Sequence, residues 1–149
     1  MKHDIIILLG ILLIGCQSQS QQSDSESDDL LYEQYWQFQE SMLFGIGDED
    51  TAIESLFKSA EAGYAESQSQ LGGCYAYRPD LIKREGADID SAVIWWLRAA
   101  EQDEWMAQRD LAYYYADIQD WKQAEFWLKR AKKNGYKDKE LQKKIRKNL

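Results

Sequence analysis

The chain repeats a segment of its own sequence, and this feature constrains the fold more than any other. Residues 52–75, AIESLFKSAEAGYAESQSQLGGCY, align with residues 92–115, AVIWWLRAAEQDEWMAQRDLAYYY. A third, partial copy, AEFWLKRAKKNGY, begins at Ala124, which matches Ala92. Self-similarity at a period of roughly 20–50 residues is typical of arrays in which each unit is one supersecondary element. The sequence therefore predicts stacked repeat units.

Each unit has the pattern of two short helices. In residues 51–63 the apolar side chains recur at helical spacing: Ile53, Leu56, Phe57 and Ala60. Asp50 or Thr51 is expected to cap the start of this helix, and Gly63 is expected to close it at the C′ position.

Small residues at matched positions, such as Gly72 and Ala112, allow the backbones of neighbouring helices to approach closely. One helix pair cannot bury its apolar face alone, so neighbouring pairs must share a core. Apolar stripes also predict a helix after residue 29 and a thin-striped basic helix at the end of the chain. The predicted fold class is all-α.

The segments KSAEAGYAESQSQLG and RAAEQDEWMAQRDLA resemble the Sel-one-like repeats, which are relatives of the tetratricopeptide repeats. The resemblance covers residues 52 to about 136 and implies a short α-solenoid of antiparallel helix pairs with capping helices at both ends. Its repeats would span about 50–89, 90–121 and 122–149. Asp103 stands where the family usually has a turn glycine, and Trp105 where it usually has a small residue, so the number of repeats stays open.

Residues 1–15 hold an apolar run of signal-peptide length, which leads into the segment LLIGC at residues 12–16. With this segment the N-terminus resembles that of a bacterial lipoprotein. The LLIGC segment is similar to a lipobox, so Cys16 is expected to carry lipid; an ordinary signal peptide with an incidental cysteine is the alternative. Gln17 after the cysteine, in proteins of this class, favours the inner leaflet of the outer membrane, facing the periplasm.

Residues 16–29 contain the acylation site and a polar run that cannot bury enough surface to fold, so they are expected to form a disordered tether. Residues 30–149 are then one helical repeat domain. Only Cys74 remains as a thiol, and a buried structural cysteine is preferred over a redox role.

Charge is distributed unevenly along the chain. Residues 16–128 carry 23 acidic and 7 basic side chains, a balance of −16, whereas residues 129–149 carry 10 basic and 2 acidic ones, a balance of +8. The acidic bulk argues against nucleic-acid binding. The basic end is either a solvated helix or a surface that contacts the acidic body or an anionic membrane.

Catalytic chemistry is not expected. The one histidine, His3, lies in the predicted signal peptide, so the processed chain lacks histidine-based triads and metal sites. The acidic segments that begin at Asp48 and Asp88 lack the glycine and glutamate of a calcium loop. We therefore expect no catalytic residues, no metal and no cofactor.

Some aromatic and basic residues are not explained by the repeat. In residues 94–115, Trp96 matches Leu56 and Tyr115 matches Tyr75, which indicates core positions. Aromatics outside the pattern are candidates for binding a protein: Trp105, Tyr113, Tyr64 and Trp121. The longer loop between units adds the candidates Arg78, Lys83 and Arg84, with neutral length variation as the alternative.

The family resemblance implies a non-enzymatic adaptor that binds another protein and is held to the membrane by the lipid on Cys16. One alternative is an immunity protein that neutralises a toxin delivered to the periplasm by a neighbouring bacterium, since an acidic body suits a basic toxin. Another alternative is a structural lipoprotein that maintains the envelope.

Overall fold

The computed structural model describes residues 29–45, 47–82 and 88–149, and this part of the chain is all α-helical, with no strand. It contains seven α-helices and one short 3₁₀ helix, Pro79–Leu81. The helices are α1 (29–44), α2 (Glu49–Glu61), α3 (Ala65–Tyr77), α4 (Ile89–Glu101), α5 (Trp105–Asp117), α6 (Trp121–Lys133) and α7 (Lys139–Asn148).

Acidic side chains start several of the helices that follow α1. Asp88 accepts a hydrogen bond from the backbone N–H of Ser91 at 2.8 Å, and Asp120 does the same for Gln123 at 3.1 Å. The predicted cap of α2 at Asp50 or Thr51 is wrong, because Asp48 fills that role and accepts from the N–H of Thr51 at 3.0 Å. Asp50 lies in the first turn instead, where a negative charge still interacts favourably with the helix dipole.

The turn after the first helix of each pair has the same kind of backbone geometry in all three units. A residue with positive φ follows the C-cap: Gly63 at 108°, Asp103 at 63° and Gly135 at 93°. The predicted closing role of Gly63 is confirmed. Asp103 adopts a conformation that favours glycine, and Arg130 and Gln108 hold its carboxylate at 2.6 Å and 3.3 Å.

Each helix packs mainly on its neighbours in sequence, and the most extensive contacts join α3 to α4 and α5 to α6. The side chains of one buried cluster, which runs from Phe38 in α1 to Ile145 in α7, fill the space between the helices. Trp96 is 1% exposed and Leu56 is fully buried, as the alignment of the copies predicted. Tyr115 is partly buried against the same cluster.

Gly72 makes room for Trp96, the largest fully buried side chain among the described residues. A Cβ atom at this position would lie 2.5 Å from Cδ1 of Trp96 and 3.1 Å from the carbonyl oxygen of Ala92. The absence of a side chain therefore lets α3 approach α4 with the indole between them, and the close approach predicted at Gly72 is confirmed.

Two buried glutamines close the helix pairs in the same way. Gln68 donates to the carbonyl oxygen of Ala60 at 3.0 Å, and Gln108, at the matching position of the next copy, donates to that of Ala100 at 3.2 Å. Both acceptors lie near the C-terminal end of the first helix of the pair, where carbonyl groups lack partners within the helix. Each glutamine therefore joins the second helix of its pair to the end of the first.

A second set of amides joins one pair to the next. Gln102 donates to Oε1 of Gln68 at 2.9 Å and to the Gly63 carbonyl at 3.1 Å. Asn134 donates to Oε1 of Gln108 and to the Asp103 carbonyl, both at 3.0 Å. We call these four side chains, Gln68, Gln102, Gln108 and Asn134, the amide ladder. The ladder repeats the same contacts at both junctions between units.

Replacing Gln108 with leucine is expected to lower the free energy of unfolding by about 1–3 kcal/mol, because buried polar partners lose their hydrogen bonds. Urea denaturation followed by circular dichroism measures this change. Gln123→Leu is the matched control: its side chain is exposed on α6, so we expect a change of about 0.5 kcal/mol or less. Equal stability of both variants would show that the ladder contributes nothing.

Candidate protein-binding groove

An apolar groove is lined by residues of α1, α3, α5 and the 3₁₀ helix. Its volume is about 280 Å³. The apolar walls come from all four elements: Phe38, Met42, Cys74, Tyr77, Leu81 and Met106. We call this feature the α1–α3–α5 groove. Two of the wall residues are methionines, one from α1 and one from α5, and methionine side chains adapt to varied partner shapes.

The groove is open because α3 has a glycine at its floor. A Cβ atom at Gly73 would meet no heavy atom within 4 Å. In the next unit, the matching residue is Tyr113, whose side chain extends toward the turn before α7 and bonds to it. The same position of the repeat is therefore empty in one unit and filled in the other.

One ion pair lies in the wall of the groove. Arg109 and Asp110 pair at 2.8 Å, and Asp110 is only 8% exposed. Burial raises the pKa of the Asp110 carboxyl, and the adjacent guanidinium of Arg109 opposes that rise. Arg109 also lies 5.7 Å from the ring centre of Trp105. This pair adds a charged contact point to the mainly apolar lining of the groove.

Cys74 is buried in the groove wall with 6% exposure. Burial raises the pKa of its thiol to about 11. The thiol is therefore protonated at neutral pH and is a poor nucleophile. The predicted burial of this cysteine is confirmed, and its surroundings favour a packing role.

Trp105 and Tyr113, two predicted binding residues, both contact the turn that leads into α7. The ring of Trp105 stacks on that of Tyr136, with centres 5.8 Å apart. The hydroxyl groups of Tyr113 and Tyr136 both donate to Asp138, which also caps α7 by accepting from the N–H of Leu141. We call the Tyr113–Asp138 contact the α5–α7 clasp. Trp105 and Tyr113 thus help to hold the turn before α7 against α5, although more than a third of each side chain is exposed.

The other predicted residues are dispersed. Tyr64 precedes α3 and meets Tyr35 edge to face at 5.7 Å, while Trp121 begins α6 with the amine of Lys144 at 5.9 Å from its ring. Arg78 reaches the rim of the groove, where it pairs with Asp80 at 3.0 Å. Lys83, Arg84 and Cys16 lie outside the described residues.

Sequence reasoning missed the residues that form the groove. Met42 lies outside the alignment and Gly73 and Met106 are unremarkable in it, and the three residues meet only because α1 packs beside α3 and α5. One signal was present, since the pairing of Gly73 with Tyr113 is a large change of side-chain size between the copies.

In the described part of the chain, no three histidine, cysteine or acidic residues come together as metal ligands do. None of the described helices combines the length and apolar character needed to cross a bilayer. In comparisons with known proteins, no family model, no curated protein and no solved structure matches the chain.

Tyr113→Phe is expected to destabilise the protein by about 1 kcal/mol, because it removes a hydrogen bond to a carboxylate and keeps the ring. Thermal unfolding as a function of pH measures the effect. The Tyr113 hydroxyl is the largest influence that lowers the pKa of Asp138 in the folded state. The stability it adds is therefore present above the unfolded carboxyl pKa of about 3.9 and is lost as pH falls through the folded value.

The matched control is Tyr32→Phe, which removes a hydroxyl from an exposed tyrosine of α1. We expect its stability to follow that of the wild type at every pH. A Tyr113→Phe deficit that stays constant through the acid range would contradict the proposed link to Asp138.

Proposed function

We propose that the protein is a non-enzymatic adaptor of the bacterial cell envelope that binds an apolar segment of another protein in the α1–α3–α5 groove. The observation that carries this proposal is the open floor of the groove at Gly73, beneath apolar walls from separate helices. An unfilled apolar surface of this kind gains free energy when a partner covers it.

The size of the groove favours side chains of a partner over a small-molecule substrate. Its volume of about 280 Å³ lies just below the range of roughly 300–1,000 Å³ typical of sites that enclose a ligand. Such a volume accommodates one or two large side chains. Tyr77 and the two arginines at positions 78 and 109 surround it, and tyrosine and arginine are among the residue types that dominate binding energy at protein interfaces.

We also propose that the helices form a short solenoid of Sel-one-like repeats, with α1 and α7 as its capping helices. The matching turns at Gly63, Asp103 and Gly135 support this, as does the amide ladder, which repeats across both junctions. In repeat arrays of this type each unit contacts its neighbours, and the successive units present an extended surface to a partner.

The groove favours partner binding over a purely structural role in the envelope. The immunity alternative is a special case of partner binding in which the occupant belongs to a toxin. Deletion of the gene distinguishes an immunity protein from an adaptor with another partner. Only the loss of an immunity protein makes the cell sensitive to a neighbour's toxin.

Filling the groove provides the direct test. Gly73→Tyr copies the residue of the matching position and is expected to reduce partner capture at least about tenfold, because the ring occupies the space of a partner side chain. The measurement is photocrosslinking from a probe at Gln70, which also lines the groove, in intact cell envelopes.

Gly73→Ala is the matched control, since a methyl group there meets open space and alanine favours the helix by up to about 1 kcal/mol. It should capture the same partner as the wild type. Capture that survives Gly73→Tyr, in a variant that circular dichroism shows to be folded, would contradict binding in the groove.

The proposed anchor is tested separately. Metabolic labelling with palmitate is expected to mark the wild-type chain, and Cys16→Ser should abolish the label because the acyl acceptor is removed. Cys74→Ser is the control and should keep it, since Cys74 is buried in the folded domain. An unlabelled wild-type chain would contradict lipidation and leave the groove proposal unaffected.

A further inference from the structure

The C-terminal end of the protein carries basic side chains that exceed their acidic partners. Within the described residues, three of them form ion pairs: Lys129 with Glu125, Arg130 with Asp103, and Lys144 with Asp117. The remaining seven basic residues after position 128 have no ion pair in this part of the chain: Lys132, Lys133, Lys137, Lys139, Lys143, Arg146 and Lys147.

Helices α6 and α7 bring part of this charge together in a shallow cleft of about 60 Å³. Lys129 and Lys132 line it from α6, and Arg146 lines it from α7 together with Gln142. Glu125 is the single acidic residue of its lining among the described residues, so the cleft has an excess of positive charge. We call the cleft and the exposed lysines of α7 the basic face.

The lysines at the start and in the middle of α7 do not stabilise the helix itself, whereas Arg146 and Lys147 lie in its last turn, where the dipole favours a cation. Lys139, Lys143 and Lys147 are exposed and four residues apart, a spacing at which like charges repel and destabilise a helix. Lys139 is the first residue of α7, where the helix dipole disfavours a cation. Buried Leu141 and Ile145 hold the opposite side of the helix in the core. The basic face therefore lacks a full counter-charge within the described structure.

We propose that the basic face binds the anionic phospholipid surface of a membrane. Lipid phosphates supply the missing counter-charge over a broad area, and each basic residue near such a surface adds to the attraction. The rest of the processed chain has a balance of −16 and is repelled by the same surface. The molecule would therefore approach the membrane with its C-terminal end first.

The same face is less suited to a nucleic acid. α7 has no aromatic side chain to stack on an unpaired base, and the predicted signal peptide directs the chain out of the cytoplasm. The proposal depends neither on the groove nor on acylation of Cys16, so it can fail while the proposed function stands.

The test uses residues 17–149, which lack the acyl site and retain every described core side chain. Binding to vesicles of phosphatidylcholine alone is compared with binding to a mixture with phosphatidylglycerol at about 3:1. We expect binding only to the mixture, weakened by added salt. In the variant Lys129→Gln/Lys132→Gln/Arg146→Gln, affinity should fall about a hundredfold, since each residue near the surface contributes about fivefold.

A matched variant, Lys58→Gln/Arg78→Gln/Arg98→Gln, removes the same charge from the acidic part of the molecule and should bind within about twofold of the wild type. A second basic-face variant, Lys139→Gln/Lys143→Gln/Lys147→Gln, changes only exposed residues and relieves repulsion along α7, so its binding loss does not arise from unfolding. If the control variant Lys58→Gln/Arg78→Gln/Arg98→Gln lost as much affinity for the mixed vesicles as the basic-face variants, the proposal would be overturned. Failure of the wild type to bind, or tighter binding to a DNA duplex than to the mixed vesicles at matched ionic strength, would overturn it as well.

Discussion

The amide ladder is the interaction on which the arrangement of helices depends. The pairs α2–α3 and α4–α5 each have a buried glutamine that bonds the carbonyl end of the first helix, and an amide of the following unit bonds that same glutamine. Apolar packing alone is tolerant of small rotations and shifts between helices. Buried hydrogen bonds do not tolerate such rotations and shifts, because a misplaced amide leaves its partners unsatisfied. The ladder therefore fixes the register of each unit on the next, and with it the relative positions of α3 and α5 in the groove wall.

The two units share this arrangement of helices. Differences in side-chain size at matching positions give the two units different surfaces. Gly72 admits the indole of Trp96 between α3 and α4. One residue further on, Gly73 leaves the groove open, whereas the matching Tyr113 bonds to Asp138 and secures α7. One unit of the repeat thus keeps a vacant surface, while the next uses the same position to attach the terminal helix.

The sequence predicted the features that recur with the repeat and missed those that depend on tertiary placement. Burial of Trp96 followed from aligning the copies, because Trp96 matches Leu56, and the turn at Gly63 followed from the preference for glycine after the end of a helix. The hydrogen bond from Gln102 to Gln68 joins different repeat positions in successive units. Aligning the equivalent positions of the copies therefore does not reveal it. The groove depends on α1, which lies outside the repeat and whose packing has no template in the other units.

The proposed tether changes how strong the basic face must be. If Cys16 is acylated, the lipid keeps the folded domain at an effective concentration of about a millimolar or more near the bilayer. A face with only millimolar affinity for lipid is then occupied much of the time. Weak electrostatic contact thus suffices to orient the domain, and it remains sensitive to ionic strength because exposed charges are screened by salt. The lipid would set where the protein resides, and the basic face would set which way the groove points.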